Sequence, residues 1–276
     1  MQGERVLITG HEGFIGKSLI KKISLTGDNF IKGLNEDYLK KSNWKEELSN
    51  ILNDFNPTVI FHVGACSDTM EKDATFMFTR NYESTKIIAE WTWINNVPLI
   101  YSSSASIYGI NGEHPSNLYG WSKYAGEDIV TVNCGISLRY FNVYGPGEEH
   151  KNKMASVAYQ MFVKYKNKED IRLFPGNPKR DFVYVDDVVD ANLFAYENFN
   201  GLDKKYYEVG SGESRTFEDV MNILDIPFSY LDESVIPNGY QFNTKSNSEL
   251  WMPGWKPKNL LESGLTKYKK YLENSL

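Results

Sequence analysis

Tyr119 and Lys123 stand four residues apart in the segment YGWSK, so on a helix both side chains leave the same face. A tyrosine in water, with a pKa of about 10, is a poor base near neutrality. A neighbouring ammonium, together with a positively charged nicotinamide, favours the phenolate and brings it toward the working range of a general acid/base. Upstream, YSSSASIYG sets Ser102, Ser103 and Ser104 at the end of an apolar run. If that run is a strand, its hydroxyls lie at the carboxyl end, where open α/β sheets bind ligands, and Ser104 can hydrogen-bond a reacting oxygen. Tyr-x-x-x-Lys alone is common as a solvated pair on amphipathic helices. The serine run and a glycine turn in the right order shift the reading toward chemistry.

That turn is TGHEGFIG, with Gly10, Gly13 and Gly16 between the apolar run 5–9 and the helical pattern 14–23. Glycines there permit a tight turn and let a pyrophosphate approach backbone N–H groups at a helix N-terminus. A nicotinamide dinucleotide is the matching cofactor. Glu36 and Asp37 fall about 20 residues further on, where an acid would hold the ribose hydroxyls of NAD. Lys40 or Lys41 could equally meet the 2′-phosphate of NADP, so the choice stays open. A further charged stretch, GEEHKNKMAS, puts Lys151 and Lys153 after Glu148, Glu149 and His150. By residue type alone, such a lysine pair reads more readily as a solvated turn than as a catalytic feature.

These groups need elements to hold them. Apolar runs at 5–9, 30–31, 58–63, 98–101 and 136–141 read as buried strands, alternating with helix-like segments at 14–23, 44–52, 76–94 and 119–132. That rhythm predicts an α/β fold: a Rossmann-type doubly wound parallel sheet covered by helices, with a smaller C-terminal substrate-binding lobe. The segment around 34–41 is short, as if a β-unit of a longer version were missing. After Tyr144 the pattern breaks, with a helix expected at 154–165, a turn-rich FPGNPKRDF, helical periodicity over 183–196 rejoining the main sheet, and a last helix at 260–272. Residues 1–145 and about 180–210 are the expected NAD(P)-binding domain, and about 146–179 and 211–276 the substrate-binding lobe.

Composition narrows the function classes. A net charge of −6 offers no basic face for nucleic acid or an anionic membrane surface. Two cysteines and four histidines without ligand spacing point to no metal site and no disulfide framework. With no leader pattern and no apolar run long enough to span a bilayer, the sequence reads as a soluble, cytoplasmic protein of small-molecule chemistry.

Taken in order, TGHEGFIG, YSSSASIYG, YGWSK and RYFNVYGPG resemble the extended short-chain dehydrogenase/reductase family over most of the chain. FHVGACSDT, RYFNVYGPGEEHKNKMASVA, LFPGNPKRDFVYVDDV and GYQFNTKSN are similar to its nucleotide-sugar epimerases acting at C6 of an ADP-linked heptose, HKNKMASVA being the most discriminating. The resemblance implies Ser104, Tyr119 and Lys123 as catalytic residues, with Lys151 as a second acid/base for the turned-over ketone. It implies NADP or NAD, favouring NADP, held by Gly10, Gly13, Phe14, Ile15, Gly16, Glu36, Asp37, Gly64, Ala65, Cys66, Ser67, Asn81, Lys123 and Val143. A nucleotide-diphosphate sugar would meet Ser104, Asn142, Lys153, Gln160, Phe174, Asn177, Arg180 and Tyr240, the arginine suiting diphosphate. A homo-oligomer is implied as well. The chain departs from the family in GLNED, which lacks the usual Asp-Asn end of the second strand, and at Gly147, Lys153 and Gln160, where arginine, serine and histidine are typical. The rival expectations are another NAD(P)-dependent nucleotide-sugar epimerase, reductase or dehydratase, and a cofactor-binding regulatory protein without turnover. An intact triad counts against the latter.

Overall fold

The computed structural model describes residues 1–276 apart from Ala65, Asn111, Lys204, residues 236–239 and Leu276. Its N-terminal half alternates as the apolar periodicity requires: β1 (Arg5–Thr9), α1 (Phe14–Ile23), β2 (Phe30–Leu34), α2 (Trp44–Phe55) and β3 (Val59–His62). It continues through α3 (Ala74–Phe78), α4 (Ser84–Asn95), β4 (Leu99–Ser104), α5 (Leu118–Val132) and β5 (Ile136–Tyr140). Asn56 and Asn96 end α2 and α4 in the left-handed conformation, which asparagine tolerates. The Asn117 side chain starts α5 by accepting from the Gly120 N–H at 2.8 Å.

One sheet runs in the order Tyr206–Val209, β5, β4, β3, β1, β2. β1 pairs in parallel with both β2 and β3, and β3 with β4. Chain order reverses between β1 and β3, the switch point at which doubly wound sheets bind ligands. β2 forms the edge. The short connection after it leaves no room for the further strand that a longer version would add beyond β2, in keeping with the missing β-unit read from the sequence.

Three expectations are revised. The helix expected at 76–94 is divided, because a π-helical turn over Thr79–Glu83 separates α3 from α4. The segment 183–196 returns to the unit of the main sheet as helix, from Val189 on, and not at its start. Its start is the strand Phe182–Tyr184, which pairs in parallel with Asn142–Tyr144, and α7 (Val185–Glu197) follows. The strand that does join the sheet is Tyr206–Val209, whose polar approach hid it. The helix expected at 154–165 begins later, as α6 (Val157–Lys166), after a 3-10 stretch over Glu149–Met154.

Two compact units result. Met1–Arg139 with Val189–Tyr207 forms the first, and Tyr140–Val188 with Glu208–Leu276 the second. The first is built on buried Leu7, Leu48, Leu52, Ile60, Ile88, Leu99, Tyr101 and Val130. The second is built on buried Tyr144, Phe162, Phe182, Met221 and Leu265. Its later helices are α8 (Phe217–Leu224), which carries a reciprocal Thr216/Asp219 cap, and α9 (Leu261–Ser275). Among the described residues no helix is long and apolar enough to cross a membrane.

Candidate active site

The glycine turn is shaped by backbone contact. Gly10 lies at φ +63°, and a Cβ there would meet Gly64 Cα at 2.5 Å and its N at 2.7 Å. At Gly16 a Cβ would stand 2.2 Å from the Gly10 carbonyl oxygen, whereas at Gly13 the nearest atom is that same oxygen at 3.1 Å. Gly13 precedes α1 with no side-chain cap, and the helix has no acidic residue in its first turn. A helix N-terminus of this kind, its positive end unanswered by a carboxylate, fits the pyrophosphate of a dinucleotide. Phe14 is buried and Ile15 half-buried in the turn that follows.

A chain of hydrogen bonds links this turn to α5. Thr9 Oγ1 accepts from the Gly64 N–H at 2.9 Å and pairs with His62 Nδ1 at 2.7 Å, while His62 Nε2 lies 2.7 Å from Thr85 Oγ1. Thr85 donates to the Asn81 carbonyl at 2.7 Å, inside the π turn. The Asn81 side chain accepts from Cys66 N–H at 2.8 Å and donates to the Cys66 carbonyl at 2.9 Å and to Ser122 Oγ at 2.9 Å. Ser122 in turn donates to the Tyr119 carbonyl at 2.8 Å. Burial pushes the His62 imidazole down to about 3, with the charge of Lys123 acting the same way, so it bridges two threonines as a neutral ring.

Ser104, Tyr119 and Lys123 come together at the carboxyl end of β4. The Lys123 ammonium donates to the Ser102 carbonyl at 2.7 Å and lies 4.8 Å from the centre of the Tyr101 ring. Burial lowers Lys123 to about 7, while Glu36 and Cys66 pull it the other way. Tyr119 is pushed above its ordinary value by burial, and its hydrogen bond with Ser104 opposes that. The phenol expected to be depressed by its lysine and a charged nicotinamide is raised in this structure, because burial outweighs its hydrogen bond with Ser104. α5 is clamped once more: Ser103 Oγ donates to Glu127 at 2.7 Å, and Glu127 forms a buried pair with Arg139, whose guanidinium stacks 3.4 Å from the Tyr206 ring centre.

At the end of β2, Glu36 accepts from Arg80 Nε at 2.9 Å, and Arg80 lies 3.6 Å from the Phe76 ring centre. Asp37 is exposed and held by Lys40, and Lys41 bonds Glu47. Ser67 is exposed. Ala65 lies outside the described residues.

The second unit holds the other residues singled out in the sequence. Arg180 bonds the Lys179 carbonyl at 2.8 Å and stands 5.3 Å from the Tyr240 ring centre, with Phe174 and Tyr240 edge to face at 5.2 Å. Arg180 is preceded by an exposed turn containing Asn177 at φ +52°. The Asn142 N–H donates to the Asp181 carbonyl at 2.9 Å, and Val143 is half-buried beside it in the same strand. Lys151 is half-buried and lowered by burial, with Glu148 raising it. Lys153 is exposed, and its carbonyl accepts from Gln160 at 3.2 Å.

Several participants were not anticipated. His62 sits in an apolar run, and a polar residue within a buried strand was the available signal. Glu127 follows Lys123 at helical spacing on the same face. Asp181, fully buried, accepts from the N–H and hydroxyl of Ser211, the N–H of Gly212, and the N–H and hydroxyl of Ser246, which nothing in the local sequence announces.

Comparison with known proteins fits this geometry. The model of the NAD dependent epimerase/dehydratase family matches residues 6–210. An ADP-L-glycero-D-manno-heptose-6-epimerase of Brachyspira hyodysenteriae is 34% identical, over 98% of both chains. The solved Helicobacter pylori ADP-L-glycero-D-manno-heptose-6-epimerase superposes with a TM-score of 0.82 at 24% identity, covering 98% of this chain and 96% of that one. A UDP-N-acetylglucosamine 4-epimerase of Methanobrevibacter ruminantium superposes with a TM-score of 0.85 at 22% identity over the whole of both chains, so the fold alone does not distinguish the sugar. The glycine turn against Gly64, the serine, tyrosine and lysine at β4, and a family match over most of the length agree: the chain belongs to the NAD dependent epimerase/dehydratase family.

Proposed function

We propose that the chain is an ADP-L-glycero-D-manno-heptose 6-epimerase. Ser104, Tyr119 and buried Lys123 around one point at the carboxyl end of β4 carry the reaction type. The full-length similarity to the Brachyspira enzyme supports the sugar. The bound nicotinamide supplies the hydride acceptor and donor, and Gly10, Gly13, Gly16, Gly64 and Asn81 would hold the dinucleotide. Tyr119 takes the proton of the C6 hydroxyl in one orientation of the sugar, while Ser104 hydrogen-bonds the same oxygen. Lys123 orients this group, and its charge favours the phenolate once a proton is retained.

Reduction on the opposite face requires the ketone to turn over, and its oxygen then needs a second proton partner. Lys151 is the proposed partner. Burial lowers it from the ordinary lysine value, which favours proton exchange nearer neutrality. Arg180, with Phe174 and Tyr240, would take the nucleotide diphosphate.

For the cofactor the reading is NADP. Arg80, held by its Nε at Glu36 past the end of β2, carries a guanidinium whose planar fork suits a 2′-phosphate. Arg80→Met should weaken NADP binding and spare NAD, as calorimetry with each cofactor would reveal. The exposed Trp93 and Ile94 on α4 and Trp121, Tyr124 and Val132 on α5 suit self-association, testable by sedimentation. The decisive experiment incubates the protein with the D-glycero epimer of the ADP-heptose and, separately, with UDP-glucose and UDP-N-acetylglucosamine. Conversion of the first alone supports the reading, and conversion of only a UDP-sugar overturns it.

A further inference from the structure

We propose that Glu148 is a positioning residue for Lys151, its buried carboxylate tying together both ends of the loop that carries the lysine. The inference rests on the proposed role of Lys151 in the turned-over ketone.

Glu148 has no exposed surface. Its Oε1 accepts from the Gly145 N–H at 3.2 Å, from Ser156 Oγ at 2.7 Å and from the Tyr268 hydroxyl at 3.0 Å, and its Oε2 accepts from the Ser156 N–H at 2.5 Å. Gly145 enters the loop and Ser156 leaves it as the cap of α6, so one carboxylate closes both ends and fastens them to α9. Glu149 adds a parallel tie, accepting from the Tyr271 hydroxyl at 2.8 Å and from the Gly147 N–H at 3.3 Å. Between the ties the Lys151 N–H donates to the Glu148 carbonyl at 2.9 Å, and the next residue, Asn152, is held at φ 49° and ψ −118°. That conformation is costly for any side-chain-bearing residue and persists only where its surroundings enforce it.

A buried carboxylate is also costly unless several donors satisfy it, and among the described residues no guanidinium donates to it. The donors are two backbone N–H groups and two hydroxyls; burial raises the Glu148 carboxyl, while the Ser156 and Gly145 donors and the charge of Lys151 oppose that and favour the carboxylate. The titratable groups facing it are Lys151 from the loop and Tyr268 from α9, with Tyr159 and Glu149 nearby. Burial lowers Lys151, and Glu148 works against it. Removing the carboxylate while keeping its shape should therefore make Lys151 easier to deprotonate and leave the loop free to drift.

The test compares wild type, Glu148→Gln and Lys151→Met. Steady-state epimerisation is measured from about pH 5 to about pH 10, alongside the Tyr119-dependent half-reaction with a simple aldehyde. The expected result for Glu148→Gln is kcat lower by about tenfold or more with KM within about twofold, and an unchanged half-reaction. The inflection that the wild-type profile owes to Lys151 should move down by about one pH unit. Ser156→Ala, which keeps the charge and removes one donor, should lower kcat without moving the inflection, and it serves if Glu148→Gln does not fold. A stalled Lys151→Met beside a Glu148→Gln with unmoved inflection and unchanged kcat, or a Ser156→Ala with wild-type kcat, overturns the role of Glu148 alone. Full epimerisation by Lys151→Met overturns the two-base reading and this inference with it.

Discussion

Adding one methyl group at each of the three glycines of the first turn should separate folding from cofactor binding. Gly10→Ala carries two costs. Its φ of +63° is a left-handed conformation worth about 1–2 kcal/mol against any residue with a Cβ. The new methyl would also stand 2.5 Å from Gly64 Cα, a backbone atom that only a shift of strand ends can relieve, for about 1–3 kcal/mol more. Gly16→Ala has an ordinary φ but drives its methyl to 2.2 Å from the Gly10 carbonyl, so a similar overpacking cost of about 1–3 kcal/mol applies. Gly13→Ala has a φ of −77° and a nearest contact of 3.1 Å, so its cost to stability should stay under about 1 kcal/mol. At about 2–4 °C per kcal/mol for a chain of this size, the thermal midpoint should fall by roughly 4–20 °C in Gly10→Ala and by no more than about 4 °C in Gly13→Ala. Circular dichroism melts of the cofactor-free proteins measure this, and calorimetric titration with NADP and NAD measures binding. Gly13→Ala should lose affinity by about tenfold or more, because its methyl intrudes on the backbone N–H groups that face the pyrophosphate. A Gly13→Ala protein that melts as early as Gly10→Ala, or that binds cofactor like wild type, would refute the assignment of these glycines.

Tyr119→Phe should keep fold and cofactor binding but lower kcat by about 10²–10⁴-fold, as measured by chromatographic assay of epimer formation; activity within a few-fold of wild type removes Tyr119 from the mechanism. His62, held at about 3 in the fold against 6.5 ordinarily, makes the unfolded chain the better proton binder between those values, so stability must drop as pH falls through that window. Urea unfolding should show about 2–3 kcal/mol lost through this group between about pH 7 and 4.5, a component missing from His62→Gln. Asp181→Asn, which turns an amide N–H₂ toward existing donors, should destabilise by about 2–4 kcal/mol in urea titration and raise KM for the nucleotide-sugar. A midpoint like that of wild type would show that the Ser211 and Ser246 ties are dispensable.

The inner strands β1, β3, β4 and β5 were legible because each is an apolar run buried on both faces, and the glycine turn because its spacing answers a backbone need. The Tyr119 and Lys123 pair was legible through helical spacing. What escaped depends on partners far away in the chain. Glu148 looked like one of two surface acids, yet its hydroxyl donor Tyr268 lies 120 positions on. The π turn at Thr79–Glu83 is a slip in hydrogen bonding that no residue type announces. The raised phenol of Tyr119 was missed because helical spacing shows its lysine neighbour and not how deeply the ring is buried.

The first unit is discontinuous in the chain, and this bears on its birth at the ribosome. Its sheet acquires the strand Tyr206–Val209 only after residues 140–188 of the other unit have been made, and the Tyr196 hydroxyl bonds Glu4 across 192 positions. Until that strand emerges, β5 is an open edge in a nascent protein, a template for wrong pairing. Contacts of such sequence separation also slow the search for the native state. Truncation before Tyr206 should accordingly yield a chaperone-bound or aggregating product rather than a free-standing cofactor-binding module, even though the glycine turn, Ser104, Tyr119 and Lys123 would all be present.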